Sequence, residues 1–112
     1  MSAMSLIEKV TGILEDAKAR DIRVYDVSTL SAFADTLIIA TGDADRHIES
    51  MAETVRMAAK AEPRHSIEGT GKSGWVLIDT GDIVVHLFTP QRRLYFGLDE
   101  LWAAGANSNP KS

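Results

Sequence analysis

Apolar residues recur at Leu6, Ile7, Val10, Ile13, Leu14 and Ala17, the spacing of one face of a helix. Ser5 followed by Glu8 reads as a capping box and predicts a start near Leu6. Gly12 falls inside this stripe, where glycine costs up to ~1 kcal/mol against alanine. The period then changes. Ile22-Arg23-Val24-Tyr25-Asp26-Val27 alternates, as a half-buried strand does, and Ser28 to Asp35 reads as a connection. Thr36-Leu37-Ile38-Ile39-Ala40-Thr41 is a continuous apolar run bounded by Gly42, which predicts a strand buried on both faces. The helical period returns from about Asp45 to Ala61, with Ile48, Met51, Ala52, Val55 and Ala58 as its buried stripe. Asp43 or Asp45 can cap that helix and Pro63 ends it. Three short strands follow at His65–Gly69, Trp75–Asp79 and Asp82–Phe88, and Leu98–Trp102 reads as a helical turn.

The sum is one α/β domain over residues 1–102, a mixed five-stranded sheet flanked by helices, with a small, polar, fraying tail over 103–112. Thr80-Gly81 reads as a two-residue hairpin turn, which would oppose Asp79 to Asp82, Leu77 to Val84 and Trp75 to His86. Side chains alternate, so Val76, Ile78, Ile83, Val85 and Leu87 share a wholly aliphatic face that must be core. The other face carries Trp75, Leu77, Asp79, Asp82, Val84, His86 and Phe88. Two readings fit it: cover by a helix of the same chain, with His86 a satisfied core histidine, or an open patch for another protein.

Composition narrows the classes. Of 112 residues 45% are apolar and 25% charged, as in ordinary globular chains rather than disordered or fibrous ones. The chain has no cysteine, which excludes disulfides, thiolate catalysis and cysteine-held metal sites. No apolar run reaches the ~18 residues of a membrane span. Met1-Ser2-Ala3-Met4 lacks the pattern of a signal peptide, so the expected location is the cytoplasm. Twelve basic against 16 acidic residues give a net charge of −4. That balance argues against naked phosphate backbone as the main contact.

Candidate chemistry is thin. Gly69-Thr70-Gly71-Lys72-Ser73-Gly74 fits G-x-G-x-x-G by letter, but a strand follows it, whereas a dinucleotide site needs a helix N-terminus there. Ser66 stands where a P-loop has its first glycine. Asp43-Ala44-Asp45 resembles a magnesium-holding pair, yet capping explains it more simply. Arg46 and His47 sit in a first helical turn, where positive charge opposes the macrodipole. They read either as a surface ion-pair cluster or as a partner or dimer contact. His47, His65 and His86 have no metal-ligand spacing, and no serine or threonine lies in a nucleophile motif. The sequence therefore predicts neither a catalytic residue nor a metal or other cofactor.

The ordered motifs are more specific. Ala34-Asp35, Leu37 to Gly42 and Arg46-His47 resemble the ribosomal silencing factor family, also called the Iojap family. Glu68-Gly69, Trp75 to Asp79 and Gly81 to Phe88 match its central signature. Arg93, Tyr95-Phe96 and Leu98 to Leu101-Trp102 match its C-terminal one. The resemblance spans about Leu6 to Trp102. Ala44 stands where the family often has serine, and Gln91 and Asp99 where it often has glutamate.

What the resemblance implies is a non-catalytic regulator with a nucleotidyltransferase-like topology. Family members bind the large ribosomal subunit through ribosomal protein L-fourteen and block joining of the small subunit; organellar relatives act in large-subunit assembly. The implied partner-binding residues are Glu68, Trp75, Leu77, Asp79, His86, Phe88, Arg93 and Tyr95, with Arg46 and His47 as a possible further contact. Trp75 and Leu77 would be the desolvated anchor, and Asp79 and Glu68 would pair with basic side chains. Two other classes stay in view: a nucleotidyltransferase-like enzyme, which would bind nucleotide with magnesium, and a homodimeric scaffold.

Overall fold

The computed structural model describes residues 3–28, 35–59, 66–70, 74–80 and 83–100. Its elements run α1 (Ala3–Asp16), β1 (Arg20–Asp26), β2 (Thr36–Thr41), α2 (Asp45–Ala59), β3 (Ser66–Thr70), β4 (Trp75–Asp79), β5 (Ile83–Phe88) and α3 (Pro90–Phe96). One mixed sheet has the order β1-β2-β5-β4-β3. β2 and β5 are parallel; the other three pairings are antiparallel.

The change of period along the chain explains the layers. α1 turns Leu6, Val10 and Leu14 inward, and α2 turns Ile48, Met51, Ala52 and Val55 inward. Both stripes pack on one sheet face, made of Ile38, Ala40, Val76, Ile78, Ile83, Val85 and Leu87. β2 is buried along its whole length, as its unbroken apolar run requires. At the β2–α2 junction a Cβ on Gly42 would lie 2.6 Å from Ile48 Cγ2, so only glycine lets the strand end approach the helix so closely.

Several boundaries differ from the sequence reading. α1 opens at Ala3, a turn before Leu6, because Ala3-Met4-Ser5 contains no helix breaker. Ser5 therefore lies inside the helix, and the Ser5–Glu8 box does not start it. Gly12 permits no close packing: a Cβ there would meet nothing within 4 Å. β1 begins at Arg20, with a register irregularity between Arg20 and Arg23 that places Asp21 at φ +53°.

The β4–β5 hairpin is offset by two residues from the expected register. Trp75 opposes Phe88, Leu77 opposes His86 and Asp79 opposes Val84. The closing pair is Thr80 and Ile83, where the Thr80 N–H donates to Ile83 O at 2.9 Å. The buried Thr80 hydroxyl also donates to Ile83 O at 2.9 Å and accepts from the Ile83 N–H at 3.3 Å. This arrangement satisfies a hydroxyl that would otherwise be buried unpaired, and it sets Val84 opposite Asp79; the Asp82 of the expected pair lies outside the described residues. An offset of two preserves every side chain's face, so the division into faces stands.

The sequence reading placed a helical turn at Leu98–Trp102 and none before it. The chain instead forms α3 directly after β5, with Pro90 in its first turn and Gly97 at its C-cap at φ +62°. That proline–glycine pair is the signal that was available. Residues 98–100 are also helical. Leu101, Trp102, the 103–112 tail and Pro63 lie outside the described residues.

Candidate functional site

The sheet face turned away from α1 and α2 has its own small core of Tyr25, Val27, Leu37, Ile39 and Phe88, with Trp75, Val84 and Leu98 packed against it. Alternation along β4 and β5 brings Trp75, Leu77, Asp79, Val84, His86 and Phe88 to this side. All but Phe88 are half-buried. Of the two readings of this face, the described residues show partial cover, by α3 at one end.

The aromatic rings are continuous. His86 stacks with Trp75 at 6.1 Å between centroids and with Phe88 at 5.7 Å. Phe96 of α3 lies 5.8 Å from Trp75 and 5.5 Å from Phe88, and Tyr95 meets Phe96 edge-on at 5.2 Å. The Arg92 guanidinium sits 5.7 Å from the Tyr95 ring centroid. Leu94 and Tyr95 are 85% and 74% exposed, and Phe96 45%. The row thus runs from a buried anchor to an open apolar rim.

His86 is held as a neutral ring. Burial pushes its pKa down to about 4. Trp75 Nε1 donates to His86 Nδ1 at 3.0 Å, which leaves the proton on Nε2. The bond fixes both rings in the stack. Asp79 lies on the same face near the hairpin end, and Glu68 of β3 stands opposite Leu77 in register.

Arg93, an expected contact residue, has internal duties. Arg93 donates from Nε and Nη2 to the two oxygens of Asp99, at 2.8 and 2.9 Å. Its Nη1 donates to Asp21 O and to Thr41 Oγ1, each at 2.7 Å. Tyr25 OH donates to Asp99 Oδ1 at 2.9 Å. Burial, then the bond to Asp99, pushes the Tyr25 phenol up to about 12. Burial opposes the Asp99 charge, but the bonds from Arg93 and Tyr25 outweigh it and hold that carboxyl below its ordinary pKa.

His47, in the first turn of α2, ties that helix to the turn just after α1: Nδ1 accepts from the Asp43 N–H at 2.9 Å and Nε2 donates to Ala17 O at 2.7 Å. Asp43 itself pairs with Arg20 at 2.9 Å rather than capping α2 through its side chain. Arg46 is exposed at the start of α2. These residues are separate from the aromatic row. Among the described residues, no group of three or more His, Asp or Glu is placed to hold a metal ion. No described helix is long and apolar enough to cross a membrane.

The sequence motifs include Phe96 but give no contact role to Leu94 or Arg92. The exposed triplet Leu94-Tyr95-Phe96 was the signal, since three consecutive large apolar residues cannot all face inward from one short helix.

Comparison with known proteins adds independent findings. A family model described as "Ribosomal silencing factor during starvation" matches residues 1–112. A ribosomal silencing factor of Zymomonas mobilis is 35% identical over 106 residues, covering 93% of this chain and 80% of that protein. The mouse protein named mitochondrial assembly of ribosomal large subunit protein 1 is 29% identical over 101 residues, covering 86% of this chain and 44% of its own length. A crystal structure of a Chromobacterium violaceum protein superposes with a TM-score of 0.86 at 34% identity, covering 92% of this chain and 88% of that one.

Proposed function

This chain belongs to the ribosomal silencing factor family, and from that premise we propose that it binds the large ribosomal subunit through ribosomal protein L-fourteen and sterically blocks joining of the small subunit. The observation that carries this reading is the aromatic row His86–Trp75–Phe88–Phe96–Tyr95, which ends in exposed apolar side chains. Aromatic anchors with a polar rim are what interface centres favour. The net charge of −4 and Asp79 beside the row suit a basic protein partner, and such binding needs no phosphate contact.

The mechanism is occupancy. A rigid sheet presents one face to the large subunit, and the helix layer behind it fills the volume the small subunit needs. No bond is made or broken, so the activity is regulatory, and it is exercised where ribosomes work, in the cytoplasm. The nucleotidyltransferase-like topology implied by the resemblance would then be a scaffold used for contact. A role in large-subunit assembly fits the same surface, in keeping with the name of the mouse relative. A homodimer through the aromatic row would compete with ribosome binding, because one set of rings cannot serve both.

The test is sedimentation of the protein with isolated large and small subunits. The expected result is co-migration with the large subunit alone, together with a reduced yield of joined ribosomes. Tyr95→Ala should weaken this binding about tenfold or more. Because Tyr95 is 74% exposed, thermal stability should change by less than about 0.5 kcal/mol. Trp75→Glu is the poorer probe, because Trp75 is stacked and hydrogen-bonded to His86. Failure of the wild-type protein to bind large subunits overturns the reading.

A further inference from the structure

α3 poses a problem of support. It has seven residues, none buried, and a helix that short does not hold itself in water. Its start is tied by the Thr89 N–H donating to Gly74 O at 3.0 Å, and its end is closed by Gly97. Neither contact fixes the direction in which its side chains point. Arg93 lies in the middle of α3 with its side chain only 11% exposed, and its guanidinium reaches four acceptors on three separate parts of the chain. These are both Asp99 oxygens, the Thr41 hydroxyl at the end of β2 and the carbonyl of Asp21. Asp21 is held at φ +53° in the β1 irregularity, a conformation rare for a residue with a Cβ.

We propose that Arg93 is a positioning residue: the Arg93–Asp99 clamp, closed by Tyr25, Thr41 and the Asp21 carbonyl, sets α3 against the ends of β1 and β2 and thereby holds Leu94, Tyr95 and Phe96 in one surface with Trp75. This replaces the expectation that Arg93 itself touches the partner, because its nitrogens already serve internal acceptors. The planar guanidinium matters as well as the charge. A lysine could neutralise Asp99 but could not serve a bidentate carboxylate and two further acceptors from one fixed plane. The binding arm of the test rests on the proposed function; the structural arm does not.

The structural arm is an NMR measurement of the through-space contacts between the Phe96 and Trp75 rings. Arg93→Met should abolish them while β2 and β5 amide signals keep their folded dispersion, and Arg93→Lys should not restore them. Intact Phe96–Trp75 contacts in Arg93→Met, or full restoration by lysine, overturn the proposal. If Arg93→Met fails to fold, Asp99→Asn removes the charge and exchanges one of the two acceptor oxygens for a donor, which opens the clamp from its other side, and it is read in the same way.

In the binding arm, Arg93→Met should weaken association with large subunits about tenfold. In a background already carrying Tyr95→Ala and Phe96→Ala, the same change should cost less than about twofold, since residues acting through one element are not additive. An additive loss would make Arg93 a direct contact and overturn the proposal. If the wild-type protein binds no large subunit, the functional reading falls and the ring contacts alone decide the role of Arg93.

Discussion

The two faces of the sheet use the same strands for different ends. On one side Val76, Ile78, Ile83, Val85 and Leu87 meet the stripes of α1 and α2, and every one of them is buried. On the other side their immediate neighbours Trp75, Leu77, Val84 and His86 remain half-buried, although most are as large or larger. Aliphatic residues packed by long helices make a core whose only duty is stability. Aromatic residues packed by a short helix without buried residues make a surface that is ordered but open. Stiffness in the first face is what allows the second to be presented with only partial cover.

The strongest challenge to this contrast makes one deletion on both faces. Leu87→Ala on the helix side should cost ~2–5 kcal/mol, because the site is fully enclosed and can collapse only partly. Leu77→Ala on the aromatic side should cost roughly 1 kcal/mol, since part of that side chain already meets water. Denaturant unfolding of the pair measures both. Equal losses would mean that both faces are core.

The next effect is specific to the aromatic face. The pKa of His86 falls from about 6.5 unfolded to about 4 folded, so the unfolded chain binds more protons between those values. Stability should therefore fall as pH drops from about 6.5 to 4, by on the order of 3 kcal/mol, and be flat above that window. Protonation at Nδ1 would also break the bond from Trp75. His86→Gln should remove this slope. The Asp99 contribution has its own window: with its pKa lowered by folding, it is lost only as pH falls through the carboxylate range below about 4. Unfolding curves at several pH values separate the two; an unchanged slope in His86→Gln would place the titration elsewhere.

The smallest effect sharpens the helix side. Gly12→Ala should stabilise the fold by up to ~1 kcal/mol, because the added methyl meets nothing and α1 gains helix propensity. A rise in melting temperature checks this. Large-subunit binding should not change, since α1 packs on the opposite face.

How far the sequence could be read depended on the range of the interaction. The helix periods, the buried run of β2 and the alternation of β4 and β5 are local, and they were legible. The hairpin register was not, because the Thr80 hydroxyl chose Ile83 as its partner. The candidate site divided along the same line. Trp75, His86 and Phe88 could be assigned to one face from period two alone. Arg93 looked like their extension, since its motif neighbours are aromatic. Its acceptors at Asp21 and Thr41 are 72 and 52 residues away in the chain, and no local pattern points to them.

Taken alone, the sequence determined the element types as far as β5, the division of the hairpin into an aliphatic and an aromatic face, and the family. Each of these follows from the spacing and order of side chains along a strand or helix. Only the tertiary structure decided that Arg93 and His47 are internal ties and that Phe96 and Tyr95 carry the aromatic row outward. The reason is geometric. A charged or polar side chain satisfies itself with whichever acceptor folding brings within about 3 Å. An apolar side chain needs only the correct face.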